Sequence, residues 1–220
     1  MTDKQSDIGA DLHGHRTEYR KAELHRSALH DSPLQMFSQW LQDAQDTGMK
    51  DATAMTLATA TPDGAPSARI VLLKHFDDTG FCWYTGYESR KGHELAQNPQ
   101  AALLLFWPAL ERQIRLEGTV DRVPAAQSDA YFKSRPEGSQ YSAAASPQSQ
   151  IVESQAWLAS QIAALKASTP ADQLERPAQW GGYRLQPQVY EFWQGRPSRS
   201  HDRFRYQRTT NGWQIDRIAP

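Results

Sequence analysis

Cationic side chains beside hydroxyl groups recur at the ends of predicted elements. Arg69 and Lys74 lie near the two ends of one predicted strand. Tyr84-Thr85 end the next strand, and Ser89-Arg90-Lys91 begins a helix. A helix N-terminus offers free N–H groups and a positive dipole end, to which Arg and Lys add full charges. These residues could therefore bind a phosphate, but on composition alone a plain helix cap with solvated cations is the favoured interpretation.

A second cluster consists of Tyr131, Arg135 and Ser139. Tyr131 and Arg135 are four positions apart, so they share one face of a predicted helix. Pro136 ends that helix directly after Arg135. An ordinary solvated helix face would show the same spacing, and taken alone the cluster favours that surface interpretation over a phosphate contact.

The third cluster is the segment Arg199-Ser200-His201-Asp202-Arg203. On an extended chain Arg199, His201 and Arg203 point to the same side. Because aromatic residues interleave with arginines here, single-stranded nucleic acid is one alternative ligand. An Arg-rich edge strand that discourages aggregation is another explanation. Two separate phosphate sites would suit one phosphorylated cofactor and one phosphorylated substrate.

Several kinds of site lack their sequence signature. No G-x-G-x-x-G follows a strand and no G-x-x-x-x-G-K-[ST] occurs, so dinucleotide and P-loop sites lose their main support. The histidines are scattered without metal-ligand spacing, and we expect no metal site. The single cysteine, Cys82, cannot form an internal disulfide, which favours a reducing compartment.

Charge and hydropathy narrow the class of protein further. Lys plus Arg is 24 and Asp plus Glu is 25, a net charge of −1 that argues against nucleic-acid or anionic-membrane partners. The first residues carry no apolar run typical of a secretory signal. The longest apolar run, Ala101 to Leu110, is too short to span a bilayer as a helix. We therefore expect a cytoplasmic protein.

The elements that must position these residues follow from periodicity and turn signals. The pattern predicts an α+β fold: an antiparallel sheet of about six to eight strands closing into a barrel, with flanking helices. Residues 1–15 are predicted to be a mobile N-terminal arm, and residues 16–220 a single domain. Strands are predicted over 54–60, 68–76, 81–85, 101–107, 112–123, 183–193, 203–208 and 213–218. Helices are predicted over 33–48, 89–97, 124–134 and 146–166.

Taken in order, the motifs resemble the pyridoxamine 5′-phosphate oxidase family. The resemblance covers about residues 16–220. Any one motif is weak, but this many in order are highly specific. The matching segments are Arg69–Lys74, Tyr84-Thr85, Ser89–Lys91, Glu111–Gln113, Tyr131–Pro136, Gln148-Ser149, Trp180–Arg184, Glu191–Gly195, Arg199–Phe204 and Trp213–Pro220.

The resemblance implies an FMN-binding split β-barrel that forms a homodimer, with flavin held between subunits. It implies an oxidase of vitamin B6 biosynthesis and salvage, which converts pyridoxamine 5′-phosphate and pyridoxine 5′-phosphate to pyridoxal 5′-phosphate. A hydride would pass from substrate to flavin, and dioxygen would then be reduced to hydrogen peroxide. The implied FMN contacts are Arg69, Ile70, Val71, Leu72, Leu73, Lys74, Tyr84, Thr85, Arg90, Lys91, Gln113, Gln148, Ser149, Trp193 and Arg203.

The resemblance also implies a substrate site with Arg199 and His201 as its catalytic residues. The arm from Arg16 to Tyr19 would close over the substrate. The implied substrate contacts are Arg16, Thr17, Glu18, Tyr19, Lys74, Tyr131, Arg135, Ser139, Arg199, Ser200 and His201.

Two segments depart from the family pattern. Residues 142–147 read Ser-Ala-Ala-Ala-Ser-Pro, where the family often has a Trp and a basic residue, and Thr17 stands where a second Arg is common. A flavin reductase with the same barrel is the nearest alternative. The cluster of Tyr131, Arg135 and Ser139 speaks against it, because a free flavin substrate needs no second phosphate contact there.

Overall fold

The computed structural model describes residues 11–15 and 17–220, so the predictions for residues 1–10 and for Arg16 lie outside the described part. Five α-helices and nine strands make up this part. The helices are α1 (Pro33–Asp46), α2 (Arg90–Gln97), α3 (Ala125–Ser134), α4 (Glu137–Ala145) and α5 (Gln155–Ser168). The strands are β1 (Ala54–Ala60), β2 (Pro66–Leu72), β3 (His75–Asp77), β4 (Gly80–Gly86), β5 (Gln100–Trp107), β6 (Arg112–Arg122), β7 (Trp180–Gln194), β8 (Asp202–Thr209) and β9 (Gly212–Arg217).

All nine strands form one antiparallel sheet, in the order β2-β1-β5-β6-β7-β4-β3, with β8 beside β7 and β9 beside β8. The antiparallel sheet with flanking helices confirms the predicted class, with one strand more than expected. The 15-residue β7 pairs with β4, β6 and β8. Its pairing with β6 shifts register at Gly118, where an added Cβ would lie 2.0 Å from the Gln186 carbonyl oxygen. Glycine is thus required at this irregularity.

Local signals set the bounds of α1 as predicted. The Ser32 hydroxyl accepts a hydrogen bond from the Gln35 N–H at 3.4 Å, and Pro33 is the first helical residue. The inner face of α1 buries Phe37 and Trp40, whose rings pack on aromatic residues of β4 and β7. Burying this aromatic face holds the helix on the sheet.

The single strand predicted over residues 68–76 is wrong. The chain divides there into β2 and β3, because two successive N–H groups bond to different parts of the sheet. Leu73 donates to the Thr53 carbonyl beside β1, and Lys74 donates to the Cys82 carbonyl on β4, each at 2.9 Å. The chain thus passes at these two residues from one edge of the sheet order to the other.

The helix predicted over residues 146–166 is also partly wrong. Residues 146–154 are irregular, and α5 begins only after Ser154, whose hydroxyl accepts from the Trp157 N–H at 3.0 Å. Pro147 disfavours helix in the residue before it, and Ser149 has a φ of 67°. The shorter helix α4 was not predicted.

The core has a large and a small part. The large part lies between the sheet and α1. The small part joins Phe132, Tyr141, Leu174 and Trp180 under the helices α3 and α4. Within the described residues, no helix has the length and hydropathy needed to cross a bilayer.

Candidate functional site

The first candidate cleft is a cavity of about 510 Å³ between β2, the start of α2, and the helices α3 and α4. It brings together most of the first cationic cluster of the sequence and all of the second. Most of the implied FMN contacts and four implied substrate contacts share it. Its lining residues are Arg69, Ile70, Val71, Leu72, Lys74, Tyr84, Thr85, Lys91, Tyr131, Arg135, Pro136, Ser139, Gln148 and Trp180.

Lys91 supplies a cation to this cleft at the start of α2. Its Nζ donates to the hydroxyls of Thr85 at 3.1 Å and Ser89 at 3.2 Å. Burial and the nearby Arg69 cation lower the pKa of Lys91. Within the described part, no carboxylate forms an ion pair with its ammonium group. A bound anion would relieve both effects, so this end of the cleft favours a phosphate.

Arg69 and Arg90 share one buried carboxylate, that of Glu94. The Arg69 Nη2 lies 3.3 Å and the Arg90 Nε 2.9 Å from Glu94 oxygens, and the Ser67 hydroxyl donates to Glu94 at 2.6 Å. Burial would raise the pKa of Glu94, but the hydrogen bonds from Ser67, Thr59 and Arg90 and the charge of Arg69 hold it at about 2. The carboxylate is therefore charged and fixes Arg69 at the cleft wall.

Three implied FMN contacts do not reach this cleft with their side chains. Arg90 turns toward Glu94 and lines a neighbouring surface depression together with Ser149. The Leu73 side chain is buried in the core, 4% exposed. Sequence spacing cannot show these directions, because they depend on partners far along the chain.

An aromatic stack lines the same cleft as Lys91. The Tyr84 and Tyr131 rings stack at 3.8 Å, and the Trp180 ring is nearly parallel to both. The guanidinium carbon of Arg135 lies 4.8 Å from the Trp180 ring centre. Burial lowers the pKa of Arg135, and its buried Nη1 has no hydrogen-bond partner within the described part. A buried donor without a partner costs about 1–3 kcal/mol, which an incoming anion would recover.

The second candidate cleft contains the third cationic cluster and the N-terminal segment. Its lining residues are His15, Thr17, Glu18, Tyr19, Arg196, Ser198, Arg199 and His201. Ser198 and Arg199 both have left-handed backbone, with φ of 53° and 61°. Such conformations are costly for residues other than glycine and are frequent at functional sites. Ser200 lies beside this cleft, with its hydroxyl bonded to the Pro197 carbonyl at 2.9 Å.

His201 is neutral in this cleft. Its Nδ1 accepts a hydrogen bond from the Arg196 N–H at 3.1 Å, so the ring proton is on Nε2. Burial lowers the pKa of His201, and the cations Arg199 and Arg203 lower it further. The ring is therefore a single hydrogen-bond donor facing the cleft.

The remaining three implied FMN contacts form one row across β6, β7 and β8. Gln113 pairs with Trp193, and Trp193 pairs with Arg203. The Trp193 ring centre lies 4.6 Å from that of His201, so the row borders the second cleft. The buried carboxylate of Glu191 holds the Arg203 Nε at 2.8 Å.

Sequence reasoning gave no role to Glu94 or Trp180, which fix Arg69 and Arg135. The four-residue spacing from Arg90 to Glu94 was a usable signal for an ion pair on α2. No such signal marks Trp180, which meets Arg135 only through the fold. Across the described residues, no three His, Cys, Asp or Glu side chains come together as a metal site.

The sequence and the fold are similar to those of known proteins. A family profile described as pyridoxamine 5′-phosphate oxidase matches residues 41–168, and one described as pyridoxine 5′-phosphate oxidase C-terminal dimerisation region matches residues 180–220. A pyridoxine/pyridoxamine 5′-phosphate oxidase of Salinibacter ruber is 52% identical over 93% of this chain and 97% of its own.

Two solved structures have a similar fold. PhzG from Burkholderia lata 383, determined in complex with tetrahydrophenazine-1-carboxylic acid, is 31% identical. It superposes with a TM-score of 0.84 over 90% of this chain and 98% of its own. A pyridoxamine 5′-phosphate oxidase-related, FMN-binding protein of Nostoc punctiforme has a TM-score of 0.70 at 17% identity, over 87% and 100% of the two chains. The latter likeness concerns the fold alone.

Proposed function

The chain belongs to the pyridoxamine 5′-phosphate oxidase family, and we infer that it is an FMN-dependent oxidase that makes pyridoxal 5′-phosphate. Its fold is the FMN-binding split barrel. Its substrates are pyridoxamine 5′-phosphate and pyridoxine 5′-phosphate. The observation that carries this function is the identity of about half the sequence across nearly the whole chain.

The first cleft fits FMN by its donor set. The Lys91 ammonium has hydroxyl contacts but no carboxylate among the described residues, and α2 begins beside it. We propose that Lys91, Arg69 and the start of α2 hold the FMN phosphate. The exposed side chains of Ile70 and Leu72 offer an apolar surface for the flavin ring. When bound, FMN accepts a hydride from the substrate and passes the electrons to dioxygen.

The phosphate of the substrate has a separate candidate partner in Arg135. Its orphaned Nη1 and the nearby Ser139 hydroxyl line the same cleft, and the stacked rings of Tyr131 and Trp180 limit how far Arg135 can move. A guanidinium can bind two phosphate oxygens at once. We propose that Tyr131, Arg135 and Ser139 bind this phosphate, with Lys74 between the two phosphate sites.

The two clefts lie at opposite ends of β7. Trp180 borders the first cleft and begins the strand, whereas Trp193 borders the second and is the last residue but one. At about 3.3 Å per residue they are separated by roughly 40 Å along the strand. One substrate molecule is far shorter. We therefore propose a homodimer in which each active site combines the first cleft of one protomer with the second cleft of its partner.

In this arrangement Arg199 and His201 act on the substrate ring. His201 donates a hydrogen bond from Nε2, and Arg199 adds a fixed positive charge, so the pair can orient the ring for hydride transfer. Gln113, Trp193 and Arg203 would then contact FMN from the partner's side. We propose that the enzyme works in the cytoplasm, where its single cysteine would stay reduced.

The test is to purify the protein and measure flavin absorption and peroxide release together. We expect a yellow protein that releases FMN on denaturation and forms hydrogen peroxide with pyridoxine 5′-phosphate. Riboflavin in place of FMN should bind poorly, because it lacks the phosphate. A colourless protein that FMN does not reconstitute would contradict the proposal.

A further inference from the structure

One carboxylate ties the N-terminal segment to the sheet beside the second cleft. The Glu111 Oε2 accepts hydrogen bonds from two successive backbone N–H groups, Arg20 at 2.8 Å and Lys21 at 2.9 Å. The Lys21 ammonium also donates to the Ala109 carbonyl at 2.6 Å. Bonds from N–H groups to a carboxylate are about twice as strong as those to neutral acceptors. Glu111 is therefore the main attachment of residues 20 and 21.

The segment that Glu111 holds continues into the wall of the second cleft, which Thr17, Glu18 and Tyr19 line. Directly before the attachment, the Tyr19 ring packs edge-on against Trp193 at 5.5 Å and against His201 at 5.9 Å. The Glu18 carboxylate accepts a bond from the Ser198 N–H at 3.3 Å, next to the left-handed Arg199. Glu111 thus controls where two side chains of the segment meet the residues proposed to orient the substrate.

The backbone of Glu111 also holds Gly195, against which the Tyr19 ring packs. Its carbonyl accepts a bond from the Gly195 N–H at 2.8 Å. An added Cβ on Gly195 would lie 2.7 Å from Tyr19, so the ring occupies the space that glycine leaves. Glu111 itself has left-handed backbone, with a φ of 55°, which turns its side chain and carbonyl toward these two different partners.

We propose that Glu111 is a positioning residue: its carboxylate fixes the segment from Thr17 to Lys21 over the second cleft and thereby shapes the substrate site. Glu111 itself lines neither cleft. The claim about segment attachment stands by itself, and the claim about substrate rests on the proposed function. A further anchor, the Leu24 N–H bonded to Asp202 at 3.0 Å, leaves the chain after residue 24 in place when Glu111 is changed.

Limited trypsin digestion tests the attachment directly, because trypsin cuts after Arg20 and Lys21, whose amides Glu111 holds. We expect Glu111→Ala in the FMN-loaded protein to speed these two cuts by about tenfold, and Glu111→Gln to be intermediate, since a neutral amide oxygen still accepts. Asp121→Asn, the same acid-to-amide change as Glu111→Gln but near the far end of β6, is the matched control, and trypsin should cut this variant at the wild-type rate.

Kinetics on the same proteins tests the positioning. Both Glu111 variants should raise the KM for pyridoxine 5′-phosphate, Ala more than Gln, with the FMN dissociation constant unchanged. Unchanged cutting in both variants would overturn the attachment, and faster cutting with unchanged KM would overturn the positioning role. If Glu111→Ala fails to fold, Glu111→Gln decides alone by the same two measurements. A wild-type protein without oxidase activity would contradict the proposed function but leave the digestion result valid.

Discussion

Arg135 carries a positive charge on a guanidinium group that is partly removed from water. Its guanidinium is buried with an unused donor, which is costly until an anion arrives. We expect Arg135→Ala to lower kcat/KM for pyridoxine 5′-phosphate, a loss of about 2–4 kcal/mol in transition-state stabilisation. Arg135→Lys should recover part of this loss. Steady-state peroxide formation by FMN-saturated protein measures this.

The control for Arg135 is pyridoxine without its phosphate. It should be a poor substrate of the wild type and no worse for Arg135→Ala, because the lost group has no phosphate to bind. FMN affinity should not change. An unchanged kcat/KM for the phosphorylated substrate would remove Arg135 from the site.

The charge of His201 is set by its neighbours. Burial lowers the pKa of His201, and the positive charge of Arg199 lowers it further. Replacing Arg199 with Gln should therefore raise the pKa of His201, so that the ring becomes protonated at a higher pH. An NMR titration of the His201 ring measures it. Arg205→Gln is the control, since Arg205 pairs with Asp216 instead. A His201 pKa that does not rise in Arg199→Gln would refute this electrostatic account.

His201 also links pH to folding. A histidine whose pKa is lower in the folded state binds fewer protons than in the unfolded chain. Its contribution to stability is then complete above the unfolded value of about 6.5 and is lost as pH falls below it.

At the scale of elements, the start of α2 separates two adjacent cations. Lys91 faces the first cleft, whereas Arg90 pairs with Glu94 and is largely exposed. We expect Lys91→Met to weaken FMN binding by about 1.5–3 kcal/mol. Arg90→Met should change it by less than about 1 kcal/mol, as for other exposed pairs. Fluorescence titration with FMN compares the two, and equal losses would show that the assigned directions are wrong.

Elements with local signals could be predicted from sequence, and those set by distant partners could not. Ser32-Pro33 marks α1 and Asn211-Gly212 marks the hairpin of β8 and β9, because caps and tight turns depend on neighbouring residues. The break between β2 and β3 depends on bonds from Leu73 and Lys74 to Thr53 and Cys82. No local pattern encodes those bonds.

The candidate site, too, was predictable in part: the identity of its residues was, and the direction of their side chains was not. Residue types and motif order were enough to propose which side chains bind FMN and substrate. Which of them point into a cleft was not predictable, since Arg90 is turned by Glu94 and Arg135 is held by Trp180. The grouping into two clefts depends on the length of β7, whose full span was not predicted.

At the scale of the whole molecule, an apolar sheet face is left uncovered in the protomer. Ile70 is 64% and Phe106 44% exposed. Thr56 pairs with both Ile70 and Leu104, so β2, β1 and β5 share this face. An exposed apolar face of this kind is typical of an interface, and we propose that it forms part of the homodimer interface together with the C-terminal region, residues 180–220.

A charged substitution in this apolar face tests the proposed interface. Phe106→Asp should raise the dimer dissociation constant by at least about a hundredfold, because an unpaired carboxylate would be buried between protomers. Analytical ultracentrifugation measures it, and FMN should be lost together with the dimer. Ile151→Asp is the matched control, since Ile151 is fully exposed in the loop before α5. A dimer that tolerates Phe106→Asp would place the interface elsewhere.

The separation of the two clefts along β7 also has a genetic meaning. Suppose that one inactive allele carries Arg135→Ala and another carries His201→Asn. A mixed dimer then has one site with both defects and one site with neither. Random pairing of equal amounts makes about half of the dimers mixed, so about a quarter of the sites return to full activity. Two such alleles should complement each other in one cell, whereas two alleles altered in the same cleft should not.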